Sequence, residues 1–186
     1  MVDERLYFTG NDEADRLLVA DPMALLIGYA LDQQVPVQKA FSGPYVLLQR
    51  LGSIDARFLA TVDDAKLEAA AKGPPAIHRF PAAMGRRIKE VAAFVADRYD
   101  GDASRIWTEA RDADELKRRL AEIPGFGPMK VASLYAVLVK RLGVRVPGAE
   151  EGLPSHPTLG DVDSPEALAA YQANKRAAKA AARAGA

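Results

Sequence analysis

The chain has 186 residues, of which 49% are hydrophobic and 27% charged, so it is long enough to bury one core and too apolar to be disordered throughout. It contains no cysteine and two histidines, which excludes a disulfide framework, a thiolate zinc site and an iron–sulfur cluster; we expect no metal and no cofactor. The net charge is zero, but residues 79–145 carry 14 basic and 9 acidic side chains, a net charge of +5. A polyanion is expected to bind there, unless these side chains only solubilise helix faces.

The first third of the chain has apolar residues at helical spacing, interrupted by signals for helix starts and ends. Asp21 and Pro22 are typical of a helix that Asp21 caps and that opens on proline. Pro36 fits the first turn of the next helix, Pro44 opens or bends a following segment, and Gly52 ends that segment.

The remaining elements up to residue 145 are also predicted to be helices. Breaks rich in glycine, proline and aspartate separate them at residues 73–75 and 100–102. No stretch of useful length alternates with period two, so the sequence predicts an all-α fold without a sheet. The predicted helices lie at residues 58–67, where two short ones meet, at 81–99, around Trp107, and at 112–120.

The C-terminal part differs in composition. Residues 146–165 are rich in proline and glycine and are predicted to form a surface loop that is either functional or poorly ordered. Ser164 and Pro165 can then start a last helix over residues 167–182. We therefore expect a helical domain at 1–145, a proline-rich loop at 146–165 and a basic, alanine-rich helix at 166–186.

The most informative segment is Leu116–Ala132, where a basic amphipathic helix leads through Ile-Pro-Gly-Phe-Gly-Pro into a second helix. Gly125 and Gly127 allow a tight turn and a close approach of backbone to a ligand, and the free amides at the start of the second helix favour an anion. Phe126 is expected to pack between the helices and Lys130 to reach a phosphate. A purely structural helix–helix turn is the alternative.

This segment resembles the helix-hairpin-helix of the HhH-GPD superfamily, the endonuclease III-like base-excision DNA glycosylases. The helix and turn at residues 25–35, the segment at 45–52 and the motifs Leu-Asp-Gln-Gln-Val-Pro at 31–36 and His-Arg-Phe-Pro at 78–81 are similar to a small, cysteine-free actinobacterial-type branch. The resemblance covers about residues 15–145. It implies an all-α fold with two helical lobes around a DNA-binding cleft, and damaged duplex DNA as the ligand.

A repair glycosylase must also fill the gap that an extruded base leaves. The resemblance places this role at the turn that carries Gln33 and Gln34; capping of a surface turn is the alternative. His78 and Arg79 are expected on the cleft or the phosphate track, with a hydrogen-bonded structural role as the alternative for His78.

The sequence departs from the family at two catalytic positions. The family's aspartate slot, about twenty residues beyond the second hairpin glycine, falls on Pro147, and the lysine slot of the bifunctional members falls on Met129. Lys130 lies about 100° further round the helix and is expected to point away from that pocket. Lyase activity is therefore not expected. Substitute carboxylates are Asp32, Glu150, Glu151, Asp161 and Asp163.

Two functions follow as hypotheses. The first is a monofunctional DNA N-glycosylase, a hydrolase of base-excision repair with a displaced carboxylate. The second is a catalytically silent DNA-binding or lesion-sensing module. A protein-interaction hairpin is a third, weaker reading. Without a visible targeting segment or membrane span, we expect a cytoplasmic, nucleoid-associated monomer.

Overall fold

A computed structural model describes residues 2–186, and in this part of the chain it contains helices and no strand, which confirms the all-α class. The ten α-helices are α1 (Asp12–Ala20), α2 (Pro22–Leu31), α3 (Val37–Leu51), α4 (Ala56–Thr61), α5 (Asp64–Lys72), α6 (Pro81–Tyr99), α7 (Arg105–Thr108), α8 (Ala113–Ala121), α9 (Pro128–Lys140) and α10 (Pro165–Ala184), with a 3-10 helix at Leu159–Asp161.

Helix α2 forms the centre of the core. Its residues from Met23 to Leu31 are all buried, because the segment is apolar on every face and must be covered on all sides. Helices α1, α3 and α6 pack around it, while α9 packs against α8 and the 3-10 helix. The C-terminal end of α2 therefore lies inside the protein, where it can contribute to a site.

Short acidic side chains start several helices, as the sequence predicts. The Asp21 carboxylate accepts the Met23 N–H at 2.8 Å, and that of Asp112 accepts the Glu115 N–H at 2.8 Å. Each cap satisfies a backbone donor that has no partner within its own helix. Gly52 ends α3 with a φ of +79°, a conformation that side chains with a Cβ disfavour.

Pro44 neither opens a new helix nor separates two segments. It lies inside α3, which runs continuously from Val37 to Leu51. The predicted segments on either side of it are therefore one helix. Burial of Phe41 and Leu47 stabilises this helix despite the backbone hydrogen bond that proline removes.

The proline-rich stretch at 146–165 is not a surface loop throughout. Leu159 and Val162 are buried, and Gly160 packs so closely on α9 that an added Cβ would lie 2.7 Å from the backbone carbon of Ala136. Thr158 and Asp161 cap the 3-10 helix reciprocally. The apolar residues between the prolines hold this stretch against the core, and it positions α10, which begins at Pro165 and continues to Ala184.

No helix in the described part of the chain is both long and apolar enough to cross a bilayer.

Candidate functional site

The main pocket of the protein lies where the C-terminal end of α2, the first turns of α9, residues 156–158 and α10 meet. Its volume is about 480 Å³, which is within the range of roughly 300–1,000 Å³ that small-molecule sites occupy. The residues that line it are Tyr29, Asp32, Met129, Lys130, Ser133, His156, Pro157, Thr158, Tyr171, Asn174, Lys175 and Ala178.

Asp32 is the residue that follows α2, and the end of that buried helix holds its carboxylate in the pocket. Burial raises the pKa of Asp32 above its ordinary value, and the positive charges of Lys175 and Lys130 offset part of that effect. A carboxylate in such surroundings is costly to ionise and acts strongly on any positive charge that forms beside it.

Lys130 enters the same pocket from the first turn of α9. Its Nζ lies 3.4 Å from the backbone oxygen of Ala30 and 5.7 Å from the centre of the Phe126 ring. Burial lowers the pKa of Lys130, the charge of Asp32 raises it, and that of Arg87 lowers it further. The pocket thus holds a half-buried acid and a half-buried base from two helices that are distant in sequence.

The expectation that Lys130 points away from the side of Met129 is wrong, because both residues line the pocket. Met129 is 71% exposed, whereas Lys130 is half-buried. The long, flexible lysine side chain reaches inward from its own position on the helix, so an angular offset of one residue does not decide which pocket it enters.

Two tyrosines form aromatic walls of the pocket. The Tyr29 hydroxyl lies 2.9 Å from the Ser133 Oγ, which links α2 to α9. Burial raises the pKa of both Tyr29 and Tyr171, so both phenols stay neutral at physiological pH. Tyr29 is fully buried against Phe41 and Phe126. The half-buried Tyr171 is therefore the ring that a planar ligand could contact.

Residues 122–127 form the α8–α9 turn, and its two glycines differ. Gly125 has a φ of +80°, and an added Cβ would lie 2.5 Å from the Arg87 Nη1. Gly127 is exposed, has no atom near an added Cβ and precedes α9 without any side-chain cap. Phe126 is buried. The first amides of α9 are therefore open to an external acceptor, beside the main pocket.

The turn that carries Gln33 and Gln34 follows Asp32 directly, and both glutamines are exposed. Gln34 has a φ of +58°, a conformation that costs free energy for a residue other than glycine. Two long polar side chains are thus exposed on the turn next to Asp32; neither lines the main pocket, and Gln34 lines a second concave surface.

His78 holds this turn from inside, and it is fully buried with an exposure of 0%. Its Nδ1 accepts the Phe80 N–H at 3.0 Å, so Nε2 carries the proton and donates to the Gln33 carbonyl oxygen at 2.8 Å. Burial lowers the pKa of His78. The expectation that His78 contacts DNA directly is therefore wrong, and its role is structural. Arg79, the next residue, is exposed.

The other candidate carboxylates lie outside the main pocket. Glu150, Glu151 and Asp163 are exposed on the 146–165 stretch. Asp161 caps the 3-10 helix and pairs with Lys140 at 2.5 Å. Pro147 is also exposed, and its carbonyl oxygen accepts the Ala113 N–H at 3.0 Å. Of the five carboxylates, Asp32 alone lines the pocket.

Sequence reasoning did not identify the contributions of Ser133, His156, Tyr171 and Lys175 to the pocket. The spacing of Tyr171 and Lys175 places them on one face of α10, but nothing in the sequence indicates which part of the fold this helix covers. The described residues contain no cluster of three or more histidine, cysteine, aspartate or glutamate side chains that could hold a metal ion.

Comparison of the chain with protein-family models, curated proteins and solved structures found no match in any of the three.

Proposed function

We propose that the protein binds damaged double-stranded DNA and acts in base-excision repair as a monofunctional DNA N-glycosylase. The observation that carries the proposal is the position of Asp32 in a partly aromatic pocket that the first turn of α9 also lines, with the exposed Gln33 and Gln34 directly after Asp32 in the chain. This combination offers a place for an extruded base, side chains that could fill the gap, and amides for a phosphate.

In this proposal the DNA backbone lies across the α8–α9 turn. A phosphate accepts hydrogen bonds from the first free amides of α9, next to Gly127, which leaves room for a close approach. The two helical lobes that the family resemblance implies would lie on either side of the duplex, so that Gln33 or Gln34 reaches the base stack.

The proposed chemistry uses Asp32 as the counter-charge. The bond between C1′ of the sugar and the base nitrogen breaks, the base leaves with the electron pair, and positive charge develops on the sugar. Ionised Asp32 stabilises that charge, water adds to C1′, and a proton of the water passes to the carboxylate. The charges of Lys130 and Lys175 favour the ionised form of Asp32.

A panel of duplex oligonucleotides that each contain one modified or mismatched base tests the proposal, with abasic-site formation scored by alkaline strand cleavage. We expect base release from at least one lesion, abolished by Asp32→Asn and retained in Glu150→Gln. Tight binding to an abasic-site analogue without base release from any lesion would instead support the catalytically silent, lesion-sensing module, which the proline in the family's aspartate slot favours. No salt-dependent DNA binding at all would contradict both.

A further inference from the structure

A second concave surface adjoins the Gln33–Gln34 turn, and Gln34 is one of the residues that line it. This surface, the basic groove, has a volume of about 490 Å³ and is lined by Gln34, Val35, Pro36, Arg79, Lys175 and Lys179. It shares Lys175 with the main pocket. The basic groove is therefore continuous with the candidate site through one lysine and one exposed turn.

In the described part of the chain, no cation of the basic groove forms a close ion pair, and Lys175 shares the main pocket with the carboxylate of Asp32. Ion pairs within 4 Å join lysines and arginines to carboxylates at many other places, but none includes Arg79, Lys175 or Lys179. Helix α10 has no acidic residue after Glu166. Arg79 and Lys179, together with Lys175, give the groove a positive potential that attracts an anion.

Three of the four cations on α10 form a regular row, and Arg176 lies beside it. Lys175, Lys179 and Arg183 follow at intervals of four residues, so they share one side of the helix about 6 Å apart along its axis. The opposite side consists of alanines and lacks the large apolar residues with which a helix enters a membrane surface. The row suits a linear array of negative charges, as in a sugar–phosphate backbone.

The first half of α10 is anchored independently of these cations. Leu168 is buried, and the side-chain amides of Gln38 and Gln172 exchange two hydrogen bonds of 3.1 and 2.7 Å. The lysines can therefore be replaced without removing the contacts that hold the helix on α3.

We propose that the basic groove binds the phosphate backbone of a DNA strand, so that the duplex is held at two places: by the start of α9 and by Arg79, Lys175 and Lys179. This inference rests on the proposed function. It assigns α10 a part in DNA binding.

The test measures the affinity of the full chain for a short duplex with one abasic-site analogue over a series of salt concentrations. We expect Lys175→Ala/Lys179→Ala to weaken binding roughly tenfold and to lower the slope of log K against log salt by about two units. Lys179→Ala alone, which leaves the main pocket intact, should lower the slope by about one unit. Lys175→Arg/Lys179→Arg should keep the slope of the unmodified protein.

The matched control is Lys66→Ala/Lys72→Ala on α5, which removes the same charge from residues outside both the main pocket and the basic groove. An unchanged slope in Lys175→Ala/Lys179→Ala, or an equal loss in the control, would overturn the inference while leaving the proposed function intact if Gly127→Ala weakens binding. Absence of salt-dependent binding by the unmodified protein would overturn both. Preference of the same lysines for vesicles of anionic lipid over duplex DNA would also overturn the inference.

Discussion

Asp32 and Lys130 face one pocket from two helices, and burial acts on them in opposite directions. It raises the pKa of the carboxyl group and lowers that of the amine. Each charge partly restores the ionised form of the other. Charged groups held in this way depend on each other, so a change at one should be visible in the titration of the other.

The pH dependence of base release should therefore change in Lys130→Met. Removal of the ammonium takes away a positive charge that lowers the pKa of Asp32, so the carboxylate becomes protonated at a higher pH. We expect the acidic limb of the rate profile to move to higher pH, with Lys66→Met as the control that leaves it in place. A limb at the same pH in all three proteins would show that Asp32 is not the group that titrates.

His78 supports the Gln33–Gln34 turn through its neutral form, and its removal should weaken the fold. His78→Ala loses the bonds to Gln33 and Phe80, for which we expect a loss of about 1–3 kcal/mol in the free energy of unfolding. Chemical denaturation measures it. His78→Gln, which can both donate and accept, should recover part of the loss.

The same residue should make stability depend on pH. The pKa of His78 is lowered in the folded state, so the unfolded chain binds the proton more readily, and stability falls as the pH drops below the unfolded value of about 6.5. The decrease continues until the lowered pKa is reached. Denaturation curves of His78→Gln should lack this decrease; an identical pH dependence in both proteins would contradict the assigned protonation state.

The two glycines of the α8–α9 turn have different surroundings, although they stand only two residues apart. Gly125 needs its positive φ and the space beside Arg87, whereas an added Cβ at Gly127 meets nothing within 4 Å. The two positions look equivalent in the sequence and have different requirements in the fold.

Substitution by alanine should therefore change stability at Gly125 and DNA binding at Gly127. Gly125→Ala should cost about 1–3 kcal/mol of stability because of the strained backbone. Gly127→Ala should leave the melting temperature unchanged but weaken duplex binding, because a methyl group stands between the amides and a phosphate. Thermal denaturation and fluorescence anisotropy measure the two effects. Unchanged binding in Gly127→Ala would contradict a phosphate site at α9.

The Gln33–Gln34 turn is the element expected to sense damage. If either side chain enters the vacated base position, Gln33→Ala and Gln34→Ala should reduce affinity for an abasic-site analogue more than affinity for undamaged duplex, because only the damaged duplex offers an unpaired base as partner. Competition binding with both duplexes measures the two losses of affinity. Equal losses of affinity for the two duplexes would show that Gln33 and Gln34 do not enter the vacated base position.

At the scale of the whole molecule, the sequence predicted the helices well because their ends carry local signals such as Asp21, Asp112 and Gly52. The sequence did not predict that α3 continues through Pro44 or that part of the 146–165 stretch is buried. At both places, packing on distant helices overrides local preference. The sequence identified Asp32 as one candidate among five carboxylates. The contributions of Tyr171 and Lys175 depend on where α10 docks, which no local pattern determines.

We propose that Asp32, in a pocket built by α2, α9 and α10, is the counter-charge for base release. The most direct measurement is the single-turnover rate of base release by Asp32→Asn on the lesion that the unmodified protein processes. Because the pKa of Asp32 is raised by folding, its ionised form costs stability at neutral pH, so the amide should fold at least as stably. We expect the rate of Asp32→Asn to be reduced by about a hundredfold or more, with DNA binding and melting temperature preserved. An undiminished rate would contradict the role of Asp32 as the counter-charge.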